Sequence, residues 1–404
     1  MLETPSTRLY TSLKGRTVVL GVTGSSAIYR SVDLARELIR RGASVHVIMT
    51  KDATTFVSPK LFEWATGNKV ITSFDGEPIH IIFAEKADSM VIAPATLNTM
   101  SKIAYGIGDN PLVLTAIAMI GSGKNVAVVP AMNIRLYNSP ETRKAIELLK
   151  EMGVIIIPPY LSEGKAKYPP LRDLAAIVDG ITCRKRDLEG RKVLVTAGPT
   201  REHIDPVRII TNPSSGLMGV LIALEFYARG ADVTLVHGPL KIDPPYCTKN
   251  ISVESTNDMA ETIERLTTKT VYDIAVFAAA PADYTVLEPA REKIPSRQGE
   301  LTLRLVPTRK VIGSVKNRPK IMIGFAAETA GSREELVDKA RKKLFEYQLD
   351  LIVANIVGVK GRGFEAEYID ACLVEPRRTE CLGFVDKAYL ARKIVDWTVD
   401  RIGG

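Results

Sequence analysis

The chain has 404 residues, 46% of them hydrophobic and 25% charged. At about 150 residues per domain this suits two or three domains and excludes a disordered or fibrous chain. Its apolar stretches, such as residues 111–120, fall short of the ~20 residues a membrane span needs, and the amino terminus shows no basic-then-apolar leader, so a cytoplasmic protein is expected. Cys183, Cys247, Cys372 and Cys381 form no CxxC pair, which argues against a disulfide framework or a zinc site, while the four histidines show no ligand spacing and the net charge of +8 favours small phosphorylated anions.

Residues 17–20 form an apolar run of strand length, followed by Gly21-Val22-Thr23-Gly24-Ser25-Ser26. A helical pattern follows, with Ile28, Val32, Ala35, Leu38 and Ile39 at three- and four-residue steps, a cap at Ser25 or Ser26, and a stop at Gly42. Residues 45–49 read as the next strand, and 90–93, 126–129 and 154–157 as further buried ones. Residues 183–191, with Arg184, Lys185, Arg186 and Arg191 around Asp187 and Glu189, read as a solvated linker. The basic run has no interleaved aromatics and no nucleic-acid-binding motif beside it, so no nucleic acid is expected.

The same grammar returns beyond it. Residues 192–196 read as a strand, Gly198-Pro199-Thr200 as a turn, and Ser214-Ser215-Gly216 as the opening of a helix that ends at Arg229-Gly230-Ala231. That stop precedes residues 233–235 as Arg41-Gly42-Ala43 precedes 45–47, 188 residues earlier. With strands at 274–277, 321–325 and 351–354, the chain reads as two doubly wound, Rossmann-like α/β domains, 1–182 and 192–404.

Open parallel sheets bind ligands beyond the carboxyl ends of their strands. There the first half offers Thr23-Gly24-Ser25, Thr50, Thr96 with Asn98 and Thr99, and Asn133. Hydroxyls and glycines at helix starts can cradle a phosphate, although each is more often a plain cap. His80, in Pro78-Ile79-His80-Ile81-Ile82, has no Ser, Cys or acid partner in the pattern and on its own reads as a core or loop histidine.

Gly21 to Ser25, His80, Val91-Ile92-Ala93-Pro94-Ala95-Thr96-Leu97-Asn98-Thr99 and Pro130-Ala131-Met132-Asn133 together resemble the flavin-dependent decarboxylases that act on phosphopantothenoylcysteine. Val195-Thr196-Ala197-Gly198-Pro199-Thr200, Asn212, Ser214-Ser215-Gly216, Ala282-Asp283-Tyr284, Gly324 to Thr329 and Val353-Ala354-Asn355 resemble the phosphopantothenate–cysteine ligases, their usual fusion partners. For the first domain the resemblance implies FMN, with Thr23, Gly24, Ser25, Thr50, Phe56, Thr96 and Thr99 as contacts, His80 as the essential histidine and Asn133 on the substrate carboxylate. The following helix is expected near Ser139, too far on for Asn133 to cap it. Loss of carbon dioxide from a saturated cysteine leaves a carbanion with no electron sink; oxidation of the thiol to a thioaldehyde supplies one, and a flavin suits that oxidation.

For the second domain the resemblance implies CTP activation of phosphopantothenate as an acyl-cytidylate, followed by attack of the cysteine amine, with magnesium or manganese accompanying the triphosphate. Asn212 would then stabilise the acyl-cytidylate, Lys293 and Lys343 would meet the triphosphate, and Ala279, Asp283 and Phe325 would line the nucleotide pocket. The metal's protein ligands are unknown. The family also implies a homo-oligomer, trimers of the flavin domain joined by ligase dimers.

The chain departs from both patterns. Where the decarboxylases carry a flap cysteine it reads Ser162-Glu163-Gly164-Lys165-Ala166-Lys167-Tyr168, with Tyr168 as the substitute proton donor. In the ligase half Leu217, Pro295-Ser296 and Tyr347 replace family lysines, and Arg297, Arg309 and Lys310 are the nearby cations that could compensate. These departures motivate two rivals to a bifunctional enzyme: a ligase with an inactive FMN-binding half, and a flavin-binding regulatory subunit.

Overall fold

The computed structural model describes residues 12–184, 186–296, 299–357 and 366–403. The chain divides into two compact units, Met1–Arg186 and Asp187–Gly404.

In the first unit the elements run β1 (Thr17–Val22), α1 (Tyr29–Arg40), β2 (Ser44–Met49), α2 (Lys51–Phe56), α3 (Pro59–Thr66), α4 (Ile79–Lys86), β3 (Ser89–Ala95), α5 (Leu97–Ala104), α6 (Pro111–Gly121) and β4 (Asn125–Pro130). They continue as β5 (Met132–Asn133), α7 (Ile134–Tyr137), α8 (Pro140–Glu151), β6 (Ile155–Ile156), β7 (Tyr160–Ser162), β8 (Lys165–Lys167) and α9 (Leu171–Arg184). The sheet is parallel throughout, in the order β2-β1-β3-β4-β6. Its strands are apolar without alternation because helices cover both faces; Val18, Val19, Leu20, Met90, Ile92 and Val128 are almost wholly enclosed.

A small ribbon stands apart from that sheet, with β8 between β5 and β7. Glu163 and Gly164 join its hairpin, both at positive φ, the geometry a two-residue turn requires.

The second unit runs β9 (Lys192–Ala197), β10 (Arg201–His203), β11 (Ile209–Thr211), α10 (Leu217–Ala228), β12 (Asp232–His237), β13 (Lys249–Ser252), α11 (Thr256–Lys269), β14 (Ile274–Phe277), β15 (Tyr284–Val286) and β16 (Leu305–Pro307). Then follow β17 (Ile321–Glu328), α12 (Arg333–Glu346), β18 (Leu351–Ile356), β19 (Tyr368–Val374), β20 (Thr379–Asp386) and α13 (Lys387–Ile402). Its eight-stranded sheet has the order β13-β12-β9-β14-β17-β18-β19-β20. The first six strands are parallel, and β19 and β20 add an antiparallel edge. Gly219 lets α10 approach β9: a Cβ there would lie 2.8 Å from the Thr196 carbonyl oxygen.

Two expectations need correction. Cys372 and Cys381 do form a disulfide, because the β19–β20 hairpin sets them directly opposite each other across nine residues of sequence. The segment read as a solvated linker is instead built into its neighbours. Cys183 and Arg184 finish α9, Leu188 is fully buried, and Asp187 is paired with the buried Arg229; Lys185 lies outside the described residues.

Candidate functional sites

In unit 1 the polar residues at the carboxyl ends of β1, β2 and β3 do the local work their chemistry allows. Thr23 is fully buried, donating to the Pro94 carbonyl at 2.8 Å and accepting from the Thr96 amide at 3.1 Å. It therefore ties the β1 and β3 ends together. Thr96 caps α5 by accepting from the Thr99 amide, and its hydroxyl also meets that of the buried Thr99. Thr50 caps α2 through the Ala53 amide. Ser25 accepts from the Ala27 amide and donates to the Ala131 carbonyl, joining the β1 loop to the segment that carries Asn133. A Cβ on Gly24 would fall 2.7 Å from that of Asp52, so only glycine lets this loop lie against the start of α2.

The set has the chemistry of a phosphate cradle. Ser25, Thr50 and Thr96 each stand at a helix start, where partial positive charge favours a phosphate. The exposed rings of Phe56, at the end of α2, and Tyr29, at the start of α1, offer flat apolar surface. His80 is the second residue of α4, half-buried, and its Nδ1 is enclosed with no hydrogen-bond partner. No hydrogen bond among the described residues joins it to the threonine cluster.

Asn133 corrects a third expectation. A short helix, α7, begins directly after it, and its side chain caps that helix by accepting from the Arg135 amide at 2.9 Å. Its amide NH2 group is the part left to face a ligand, and the residue is exposed. Tyr168 is not placed as a proton donor. It is 3% exposed, and its hydroxyl forms no hydrogen bond with a described residue. Burial pushes its pKa well up, only partly offset by nearby Ser31 and Arg30.

In unit 2 a cavity of about 350 Å³ opens at the carboxyl edge of the parallel strands. Of the residues singled out from sequence it brings together Asn212, Ala279, Asp283, Phe325 and Lys343. Lys293 is not among its lining residues; it lies exposed on the segment between β15 and β16. That segment is clasped by Asp205, which accepts from the amides of Val207, Arg208 and Ile294, while Arg208 donates to the Ile294 carbonyl. Burial works against the Asp205 charge, but these amides and the Arg208 guanidinium outweigh it and hold the carboxyl far below its usual range.

Both amide hydrogens of Asn212 are spent on carbonyls, Ala280 at 3.2 Å and Pro281 at 2.9 Å. Two acceptors fix the amide orientation. Asn212 thus pins the loop after β14 and presents only its carbonyl oxygen as a free group.

The cavity also takes in residues named from sequence only as possible compensation, and one, Lys387, that was not singled out at all. Arg309 and Lys310 do reach the cavity, held by Glu264 at 2.5 Å and Asp283 at 2.6 Å. Lys343 pairs with Glu328. Asn355 and Lys387 also line it, both nearly enclosed. Arg297 lies outside the described residues. No group of three His, Cys, Asp or Glu side chains among the described residues could hold a metal, and no described helix is long and apolar enough to cross a membrane.

Residues 6–183 match the family model described as Flavoprotein, and residues 188–401 match that of the DNA/pantothenate metabolism flavoprotein C-terminal domain. The chain is 42% identical over 393 residues to the coenzyme A biosynthesis bifunctional protein CoaBC of Thermococcus kodakarensis, covering 95% of each. It is 36% identical over 373 residues to the protein of the same name from Bacillus subtilis, 88% of this chain and 89% of that one. Among solved structures, the C-terminal domain of a coenzyme A biosynthesis bifunctional protein CoaBC aligns with 52% of this chain and 96% of its own, at 33% identity and a TM-score of 0.43.

Proposed function

Since the chain belongs to the family of coenzyme A biosynthesis bifunctional proteins, a phosphopantothenate–cysteine ligase and a phosphopantothenoylcysteine decarboxylase in one polypeptide, we propose that unit 2 carries the ligation and unit 1 the decarboxylation. The observation that carries the ligase assignment is the unit 2 cavity. It gathers Asn212, Ala279, Asp283, Phe325 and Lys343 from four separate stretches of chain around a space ringed by cations.

In that cavity the substrate carboxylate displaces pyrophosphate from the nucleotide, and the cysteine amine then displaces the nucleoside monophosphate from the acyl carbon. Lys343 meets the triphosphate, and Arg309 and Lys310 add positive charge where Leu217 and Tyr347 replace family lysines. Asn212 keeps the loop at Ala280–Pro281 in place against the nucleotide. CTP is the nucleotide we assign, with magnesium or manganese carried on its phosphates.

We assign FMN to the strand-end hydroxyls of unit 1, where it supplies the thiol oxidation that makes decarboxylation possible. His80 moves the proton there, and the Asn133 amide orients the substrate carboxylate without fixing its charge. Exposed Phe56, Trp64 and Tyr105 favour self-association of this unit, consistent with flavin-domain trimers joined through ligase dimers.

A mass-spectrometric time course with phosphopantothenate, cysteine, magnesium and CTP, with ATP in parallel, tests both halves. The expected result is 4′-phosphopantetheine with carbon dioxide, CMP and pyrophosphate. A reaction stopping at phosphopantothenoylcysteine would leave unit 1 without turnover, and product from ATP alone would overturn the CTP assignment. In the same assay Asn212→Ala is expected to lower ligase kcat/KM by about 10²-fold, comparable to loss of one preorganised polar contact in an active site. Full ligation by that variant would remove Asn212 from the mechanism.

A further inference from the structure

Loss of carbon dioxide from a thioaldehyde leaves an anion that must gain a proton before saturated product forms. The stretch that carries the flap cysteine in the decarboxylases has none here, and the Tyr168 hydroxyl is enclosed. The three-stranded ribbon that precedes Tyr168 offers another donor.

Strand alternation sorts the residues of β8 between two faces. Ala166 is buried and opposes Met132, which packs on the core of unit 1. Lys165, on the other face, is exposed and opposes Asn133 of β5 on one side and Ser162 of β7 on the other. Residues directly opposite in an antiparallel pair have Cβ atoms about 5 Å apart on the same side of the ribbon. An amide, an ammonium and a hydroxyl therefore form one row, with the lysine in the middle. The row is held in place. The Ile134 amide donates to the Gly164 carbonyl at 3.2 Å, and the Ser25 hydroxyl, at the end of β1, donates to the Ala131 carbonyl at 3.3 Å.

The other polar groups around Asn133 are committed or unsuited. Arg135 carries a guanidinium, which does not release a proton in proteins. Lys167 pairs with Glu163 at 2.8 Å, and that hydrogen bond, with the charge of Lys165 acting through space, holds the Glu163 carboxyl below its usual range and without a proton to give. Tyr160 opposes Lys167, one row further along. Lys165 is the ammonium that the register sets beside the carboxylate contact.

We propose that Lys165 is a catalytic residue of the decarboxylation site and donates the proton that a flap cysteine would otherwise supply. The inference rests on the reading of unit 1 as the decarboxylase, with Asn133 on the substrate carboxylate. As carbon dioxide leaves, the electron pair of the broken carbon–carbon bond moves onto sulfur and gives an enethiolate. The Lys165 ammonium then protonates the carbon that has lost the carboxylate, forming a C–H bond and restoring the carbon–sulfur double bond. The sulfur-bearing carbon takes back the hydride removed in the thiol oxidation, and the resulting thiolate and the Lys165 amine recover protons from water. A donor beside the carboxylate contact is beside that carbon, and its positive charge favours the anion formed there.

The test uses the full-length, FMN-loaded chain and its Lys165→Gln and Lys165→Arg variants in a single turnover of phosphopantothenoylcysteine without oxygen. Products are identified by mass spectrometry while the flavin absorbance is followed. Both variants are expected to release carbon dioxide but to form at least about 10²-fold less 4′-phosphopantetheine, the contribution of a positioned general acid. In its place an enethiol lacking two hydrogens accumulates, and the flavin stays reduced. FMN affinity, titrated by fluorescence quenching, is expected to match wild type in both. Arginine keeps the charge and withholds the proton, so saturated product from Lys165→Arg but not from Lys165→Gln would overturn the proton transfer in favour of a positioning charge. Wild-type yields of saturated product from both variants overturn the inference, as does a loss explained by weakened FMN binding or an enethiol as the wild-type product. A wild-type chain that releases no carbon dioxide removes the decarboxylase reading itself, a result seen before any variant is compared.

Discussion

A His80→Gln chain is expected to lose at least about 10²-fold in carbon dioxide release while joining phosphopantothenate to cysteine at the wild-type rate. Positioned acid–base groups are worth 10²–10⁴-fold, and glutamine keeps the polarity and approximate size of the side chain but cannot carry the proton. Its placement is what motivates the prediction. A half-buried imidazole at the start of α4 keeps its Nδ1 enclosed without a hydrogen bond, an arrangement that costs free energy unless a ligand repays it. The measurement is accumulation of phosphopantothenoylcysteine by mass spectrometry with carbon dioxide trapped in parallel. Unchanged release would return His80 to the role of a packing residue.

The second large effect concerns stability. Arg229 is 2% exposed and donates to Asp187 at 2.7 Å and to Asp396 at 2.6 Å, tying the first residue of unit 2 and the last helix to the end of α10. Replacing both carboxylates, Asp187→Asn with Asp396→Asn, leaves a guanidinium enclosed without its counter-charges. The expected loss is about 3–5 kcal/mol, the range for breaking a buried pair from one side. Arg229→Met should cost less, because the partners it leaves behind are already part-exposed and can take up water. Urea unfolding read from the fluorescence of the buried Trp397, the single tryptophan of that unit, measures both. A larger loss in Arg229→Met than in the double variant would contradict this ordering.

The main sheets were legible because their strands are enclosed on both faces. Continuous apolar runs such as residues 17–20, 274–277 and 351–354 have few other structures to form, and small polar residues stop them at the edge where ligands sit. The antiparallel edge was not legible. Residues 379–386 mix charge, glycine and half-buried positions, so no strand pattern stands out, and without the hairpin the Cys372–Cys381 pair reads as two unrelated cysteines. The same gap hid Lys387, since a lysine before an amphipathic helix reads as a solvated charge until β20 is seen to end at the cavity. Asn133 was misjudged for a different reason: α7 is a single turn, too short to leave a periodic signal. For Lys293 the family motif supplied a role, whereas the local chain, clasped through Ile294 to Asp205, holds the residue outside the cavity lining.

The hydroxyls of Thr23, Ser25, Thr50 and Thr96 each have a protein partner already. Unit 1 therefore completes its own strand ends and does not wait for a cofactor to organise them. Binding then adds to stability only by mass action, as RT ln(1 + [L]/Kd), and carries little folding free energy of its own. A cell short of flavin would accumulate folded, colourless protein able to load later, so the supply of cofactor would set the rate of the second reaction without setting the abundance of the enzyme.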